Sequence, residues 1–208
     1  MDQDIENSPH PYMQHWDTEL GIHITLEQWE KIWTAASKTS ICTTLKENLY
    51  KIMFEWYHTP FLLQKLFPGT TSACWRCNHN PATIYHIFWT CPVISALWDK
   101  TSEILSKITC FSLQKDPLLY LLGLPLQGVG KRTQKVVQSI LLGMRCLIAA
   151  HWKSPTMPTI PDLINKIQFI WNMDYLMAML HDKALPFAED WFLWDSYYGQ
   201  LHNHVETI

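Results

Sequence analysis

Four residues carry the strongest chemical signal in this chain. Cys74 and Cys77 bracket two residues, eight residues separate Cys77 from His86, and four separate His86 from Cys91. Cys thiolates and His nitrogens are the ligands that tetrahedral zinc takes, and a closed site uses four of them. A two-residue gap lets two thiolates curl around one ion, and the longer gap lets the chain return with the second pair. On one continuous α-helix, His86 and Cys91 would lie roughly 7–8 Å apart along the axis and ~140° apart around it. They could not then share an ion. Pro92 disfavours helical geometry at Cys91, and a turn there makes the spacing usable. With four protein ligands and no position left for water, such a site is structural rather than catalytic, and metal binding couples to folding.

Other readings of the same residues stand beside this one. The thiols could be buried in a Trp-rich core with His86 satisfied by a backbone carbonyl. A redox Cys-x-x-Cys would need a βαβ context that the chain lacks. His79, one residue removed from Cys77, is an awkward substitute ligand. Cys42, Cys110 and Cys146 sit within apolar helical patterns and read as small buried hydrophobes.

The elements that must position this cluster are helical. Thr25 followed by Gln28 is a capping-box signature opening a helix from Leu26 to Ser37, with Trp29, Ile32 and Trp33 on one face. Ile41, Leu45, Leu49, Ile52, Met53 and Trp56 recur at helical spacing, and His58-Thr59-Pro60 stops that helix. Thr59 caps a short helix from Pro60 to Phe67, ended by Pro68-Gly69. Val93, Leu97, Trp98, Ile104 and Leu105 predict a helix after the cysteine cluster. Asp116-Pro117 starts a short apolar helix, and a Pro/Gly loop follows. Val136 through Ile148 mark the strongest core helix, from Lys131 to about Trp152. A proline-laden connector, Ser154 to Pro161, leads to a helix from Asp162 to Leu180, and the aromatic tail from Leu185 to Tyr198 predicts one more short helix. No β-alternation or internal repeat occurs. The expected fold class is all-α, an irregular multi-helix bundle of eight or nine helices with a small CCHC knuckle inserted between them. It divides into an acidic, poorly ordered segment (1–24), a helical region with the knuckle (25–110) and a C-terminal helical region packed on it (111–208).

The 208 residues are 48% hydrophobic and 17% charged, which excludes a disordered chain and leaves a sizeable core to bury. Eleven tryptophans supply large flat apolar surface. No stretch reaches the ~20 apolar residues of a membrane span. The polar, acidic start is the opposite of a secretory signal. An intracellular protein of the nucleus or cytoplasm, with reduced cysteines, is expected. The formal net charge of −3 hides a layout. Residues 1–37 carry net −6, residues 38–153 net +8, and residues 154–208 net −5. The basic block contains the cysteine cluster, and Lys131, Arg132 and Lys135 stand at the start of the core helix, where the helix dipole does not favour them. Basic groups release counterions from phosphates, and Trp75 could stack on unpaired bases. The nucleic-acid-binding candidates are therefore Trp75, Arg76, Lys131, Arg132 and Lys135; the competing reading makes the lysines a solvated surface and Trp75 a core plug.

The cluster and its flanks resemble the carboxy-terminal zinc-binding region of reverse transcriptases encoded by non-LTR (LINE-type) retrotransposons. The resemblance is carried by NLYKIMFEWYHTPFLLQKLFP (Asn48 to Pro68), CWRC, HIFWTCPV (His86 to Val93), Trp98 and LIAAHWKSPTMPT (Leu147 to Thr159), and it spans about Trp16 to Tyr198. It implies zinc on Cys74, Cys77, His86 and Cys91, all present, and a role in gripping template RNA. No Tyr/Phe-x-Asp-Asp polymerase motif occurs, so polymerase and endonuclease activity are not carried over, and the chain reads as a severed tail. The expected function is a non-catalytic, zinc-stabilised module binding RNA or single-stranded nucleic acid, with no membrane or small-molecule partner. The alternative is an interaction module that docks on a polymerase domain through its aromatic tail, Trp191 to Tyr198. A nuclease would rest on His202-Asn203-His204 or on Asp190 and Asp195, which lack a supporting arrangement and read as a polar tail and solvated helix charges.

Overall fold

A computed structural model of the chain describes residues 10–154 and 156–205, with side chains described up to residue 201. The described residues are all helical and turn, without a strand. The helices are α1 (Pro11–Leu20), α2 (Leu26–Lys38), α3 (Thr43–Met53), α4 (Pro60–Leu66), a π-helical turn (His86–Thr90), α5 (Pro92–Thr109), α6 (Pro117–Tyr120), α7 (Lys131–Ala150), α8 (Ile160–Leu180) and α9 (Ala184–Val205). No helix among the described residues is long and apolar enough to cross a membrane.

Helix α7 is the axis of the core. Val136, Val137, Ile140, Leu141, Leu142, Met144 and Ile148 are all fully buried, together with the polar Ser139 and Arg145, so its middle turns are enclosed around the whole circumference. It packs against α8 and α9 on one side and α3 and α5 on the other. Gly143 faces α8, where a Cβ would make ordinary contact with Lys166 Cγ at 3.4 Å and Leu163 Cδ1 at 3.5 Å. Each fully buried aliphatic side chain contributes about 1.5–3 kcal/mol of transfer free energy. Tryptophan adds to this: Trp16, Trp29, Trp98, Trp191 and Trp194 are essentially inaccessible. Their indoles are placed by hydrogen bonds where these exist, from Trp16 Nε1 to Met53 O (2.9 Å) and from Trp98 Nε1 to Phe88 O (2.8 Å).

Helix starts follow the capping residues. The Thr25–Gln28 box forms in both directions, Thr59 accepts the Leu62 N–H, and Asp116 accepts that of Leu118. A second box, Thr159 with Asp162, opens α8 two residues earlier than expected.

Four expectations are corrected. Residues 10–24 are not a loose acidic segment: α1 buries Met13 and Trp16, and Ile24 is buried after it. Helix α3 ends at Met53, well before the Thr59-Pro60 stop, because Glu55 adopts a left-handed φ of 56°. Trp56 N–H then bonds Lys51 O and Glu55 N–H bonds Ile52 O, which closes the helix in a Schellman motif and leaves Trp56 72% exposed. Cys110 is exposed in a left-handed cap after α5, while Cys42 and Cys146 are half-buried. The tail is not a short helix with an exposed aromatic face: α9 spans 22 residues and buries Trp191 and Trp194 in the core.

Candidate metal centre

The centre is built from two short pieces of chain. After α4, Ala82 N–H bonds Ser72 O (2.8 Å) and Phe61 N–H bonds Ala82 O, tying the 68–85 segment to itself and to α4. Within it, Cys74 N–H bonds His79 O (2.8 Å) and Asn78 N–H bonds Cys74 O (3.0 Å). Asn78, at φ 60°, supplies the left-handed residue of this tight turn, and Arg76 N–H points at Cys74 Sγ (3.4 Å). The turn thus turns both thiols inward.

The second piece runs from His86 to Cys91. Thr83 Oγ1 accepts the His86 N–H and donates to Glu19 on α1 (2.8 Å), which anchors the start. The chain then winds as a π-turn, with Cys91 N–H bonded to His86 O at 2.9 Å. An i→i+5 bond stacks residue 91 over residue 86 where an α-helix would rotate it away. Cys91 itself is extended (φ −57°, ψ 125°), as a residue before proline prefers, and its carbonyl opens α5. Two local deviations from the α-helix therefore bring His86 and Cys91 to one side.

The donor atoms of Cys74, Cys77, His86 and Cys91 all lie within 4.8 Å of one another. Cys74 Sγ is 4.0 Å from Cys91 Sγ, and Cys77 Sγ is 3.3 Å from His86 Nε2. Cys74, His86 and Cys91 are buried and Cys77 half-buried. His86 Nδ1 is engaged by the Thr90 hydroxyl (3.1 Å), so Nε2 is the nitrogen that faces the thiols. Burial, then the neighbouring His79 and the Arg76 guanidinium, bring the His86 imidazole down to about 4, which keeps it neutral. Burial pushes the Cys91 thiol up to about 11. Burial also acts to raise Cys74, but the N–H groups of Arg76 and Cys77 and the adjacent thiols outweigh it and hold that thiol below its ordinary value. The group could hold a metal ion. His79 is no substitute ligand: it stacks on the His86 ring at 4.4 Å.

No protein-family model matches the chain.

The expected nucleic-acid contacts are scattered rather than gathered. Trp75 stands at the surface of the cysteine turn, 37% exposed, and is not a core plug. Arg76, next to it, is committed inward. Its Nη1 donates to Ile87 O (3.1 Å) and its Nη2 to His151 O (3.2 Å) and Trp152 O (2.9 Å), while Nε is buried, so most of the guanidinium is engaged within the fold. The α7 trio is divided. Lys135 pairs with Asp174 (2.6 Å) and lies over the Trp191 ring, and Arg132 pairs with Glu189 (2.9 Å). Both partners come from the acidic last third of the chain, so part of the basic block is neutralised within the fold. Lys131 lines a cleft of about 860 Å³ between α2 and α7, with Ala35, Lys38, Leu126, Val129 and Asp190. Asp195 is exposed, and the side chains of His202, Asn203 and His204 lie outside the described residues.

Sequence reasoning missed two neighbours of Trp75. The Trp152 ring meets it edge-on at 5.3 Å, and Lys153 Nζ lies 5.7 Å from the Trp75 centroid and 4.8 Å from that of Trp152. Their signal was present in His151-Trp152-Lys153, an aromatic–basic run directly after the core helix.

Proposed function

We propose that Cys74, Cys77, His86 and Cys91 hold one zinc ion, forming a CCHC knuckle between α4 and α5, and that the chain is a non-catalytic module binding RNA or single-stranded DNA. The donor set fits zinc. Zn–S bonds of about 2.3 Å and a Zn–N bond of about 2.0–2.1 Å in a tetrahedron separate two sulfurs by about 3.8 Å and a sulfur from a nitrogen by about 3.6 Å. Two of the six donor separations, 4.0 and 3.3 Å, are close to these, and all six lie within 4.8 Å. A His86 Nδ1–H donated to Thr90 leaves the Nε2 lone pair free for the ion, as metal-bound histidines require. Four protein donors complete the coordination, so zinc would fasten the 68–91 segment and offer no open position to a substrate.

The reading of the chain as the carboxy-terminal segment of a non-LTR reverse transcriptase rests on the motifs of residues 48–98 and 147–159 around this cluster. The observation that carries the nucleic-acid part is the exposed Trp75 beside Lys153, which makes no ion pair among the described residues, on the cluster's outer side. Its test is the salt dependence of RNA binding. A phosphate-contacting module loses affinity with a log–log slope of about −0.7 per neutralised phosphate on single strands, and a flat slope would sink this reading. Zinc is tested by metal stoichiometry of the wild type beside Cys74→Ser, with one ion expected against none.

A second reading, docking on a polymerase domain outside these 208 residues, is favoured by α8. Phe169, Leu176 and Leu180 lie exposed along that helix, with Leu185 just after it. It predicts that adding such a domain in trans protects these side chains from solvent, with no RNA present.

A further inference from the structure

We infer that the nucleic-acid-contacting surface is a stacking platform made by Trp75, Trp152 and Lys153, and that Arg76 is the positioning residue that joins it to the metal centre. This inference rests on the reading that the chain binds single-stranded nucleic acid, and it says where.

Three chain segments far apart in sequence meet here. Trp75 sits on the cysteine turn, Trp152 and Lys153 follow α7, and Tyr57 follows α3. The rings form a series, Tyr57 to Trp152 at 5.5 Å with planes at 60° and Trp152 to Trp75 at 5.3 Å with planes at 85°. Tyr57 also packs on buried Phe88 of the π-turn (5.1 Å), so the series is rooted in the core at one end and open to solvent at Trp75. Trp75 is the exposed member of the pair, and an indole face accepts an unpaired base of any sequence.

Charge is compatible with the same place. Of the cations in the basic block, Arg145 is fully buried, Arg76 is committed to carbonyls, and Lys51, Lys115, Arg132 and Lys135 are paired with carboxylates. Lys38, Lys65, Lys100, Lys107 and Lys131 are exposed without an ion pair among the described residues, but none of them lies over two indoles as Lys153 does. Lys153 is exposed, makes no ion pair among the described residues, and is held against the two indoles. A base on the indole and its phosphate on the ammonium are the two halves of one nucleotide contact.

Arg76 explains how the platform would depend on the metal. Its backbone is part of the cysteine turn, and its N–H faces Cys74 Sγ, while its side chain grips the carbonyls of Ile87, His151 and Trp152. One residue thus spans both ligand pairs and the segment that carries Trp152 and Lys153. Fastening Cys74 and Cys77 to an ion fixes the origin of that side chain, and the guanidinium fixes the platform. Lysine cannot replace it, because one ammonium lacks the planar fork that reaches three carbonyls.

The test measures binding of the full chain, zinc-loaded, to a fluorescently labelled oligouridylate, with zinc content determined on every sample. Trp75→Ala should weaken binding between about five-fold and a hundred-fold at unchanged zinc content, the range of one lost base stack. Lys153→Glu should weaken it and make the log–log salt slope shallower by about one contact. Lys100→Glu, an equal charge change on the exposed side of α5, should shift binding far less. Arg76→Lys should keep one zinc per chain, lose affinity as Trp75→Ala does, and speed amide hydrogen exchange at residues 151–153. If the wild type binds the oligonucleotide and neither Trp75→Ala nor Lys153→Glu weakens it at constant zinc, the platform is wrong and nucleic-acid binding stands elsewhere on the chain. If exchange at 151–153 is unchanged in Arg76→Lys, the positioning role is wrong. If the wild type does not bind at all, the nucleic-acid reading falls, and the platform with it.

Discussion

The 68–91 segment and the α7–α9 layer are held together by different means. In the layer, α7 buries most of its length, and α9 adds Trp191 and Trp194, so apolar burial supplies the free energy that offsets chain ordering. In the segment between α4 and the π-turn, the buried apolar side chains amount to Cys74, Ala82 and Ile84. Its shape comes instead from backbone hydrogen bonds, a left-handed Asn78, and polar anchors such as Thr83 to Glu19. A stretch this poor in apolar contacts needs a further tie, and four inward-facing donors are one. The difference teaches that the two regions should fail separately.

The largest expected effect comes from the four proposed zinc donors. Chelation, or Cys74→Ser, should loosen residues 68–91 and the start of α5 while α7–α9 stay folded, because structural zinc sites contribute on the order of 10 kcal/mol in small domains. Hydrogen exchange resolved by segment checks this; uniform loosening of both regions would erase the distinction. The mirror experiment is Trp194→Ala. It should cost about 3–5 kcal/mol in denaturant unfolding through the cavity left against α7, with metal content unchanged.

Smaller effects sharpen the boundary between burial and charge. Lys135→Ala removes the half-buried pair with Asp174 and should cost about 1–2 kcal/mol, whereas Arg132→Ala, losing an exposed pair with Glu189, should cost about 0.5 kcal/mol or less. Equal costs would mean that burial does not set the strength of these pairs. Glu55, beside Thr83 and Ile84 of the 68–91 segment, titrates in the same sense as a buried acid. Burial raises its carboxyl above the ordinary value, against the pull of His15. The folded state therefore keeps its proton to higher pH than the unfolded chain. Stability from this group is full below the unfolded value of about 4.3 and declines as pH rises through the raised folded value. The stability of Glu55→Gln relative to wild type should therefore improve from pH 4 to pH 8 in parallel melting curves. A pH-independent difference would place the proton elsewhere.

The sequence by itself determined the helices and most of their starts from residue 25 onward, but not α1. Thr25, Thr59 and Asp116 each cap where their side-chain oxygen reaches an unpaired N–H, and apolar spacing marked the buried face of α7, because both are local rules written in neighbouring residues. It also marked the four donors, whose order and gaps are local, and the break at Cys91, which Pro92 imposes. Helix ends were less legible. Gly21 closes α1 in a left-handed turn that glycine adopts freely, but Glu55 and Cys110 adopt the same geometry with side chains that ordinarily avoid it. Glu55 is tied there by His15 of α1. The π-turn that stacks Cys91 over His86 has no sequence signature, since the i→i+5 bond is chosen by what surrounds it. Arg76 turning inward and Arg132 and Lys135 meeting the acidic last third of the chain were likewise decided only by the fold. Spacing along a chain says which charges exist, but only the packed helices say which of them meet another charge, a carbonyl or the solvent.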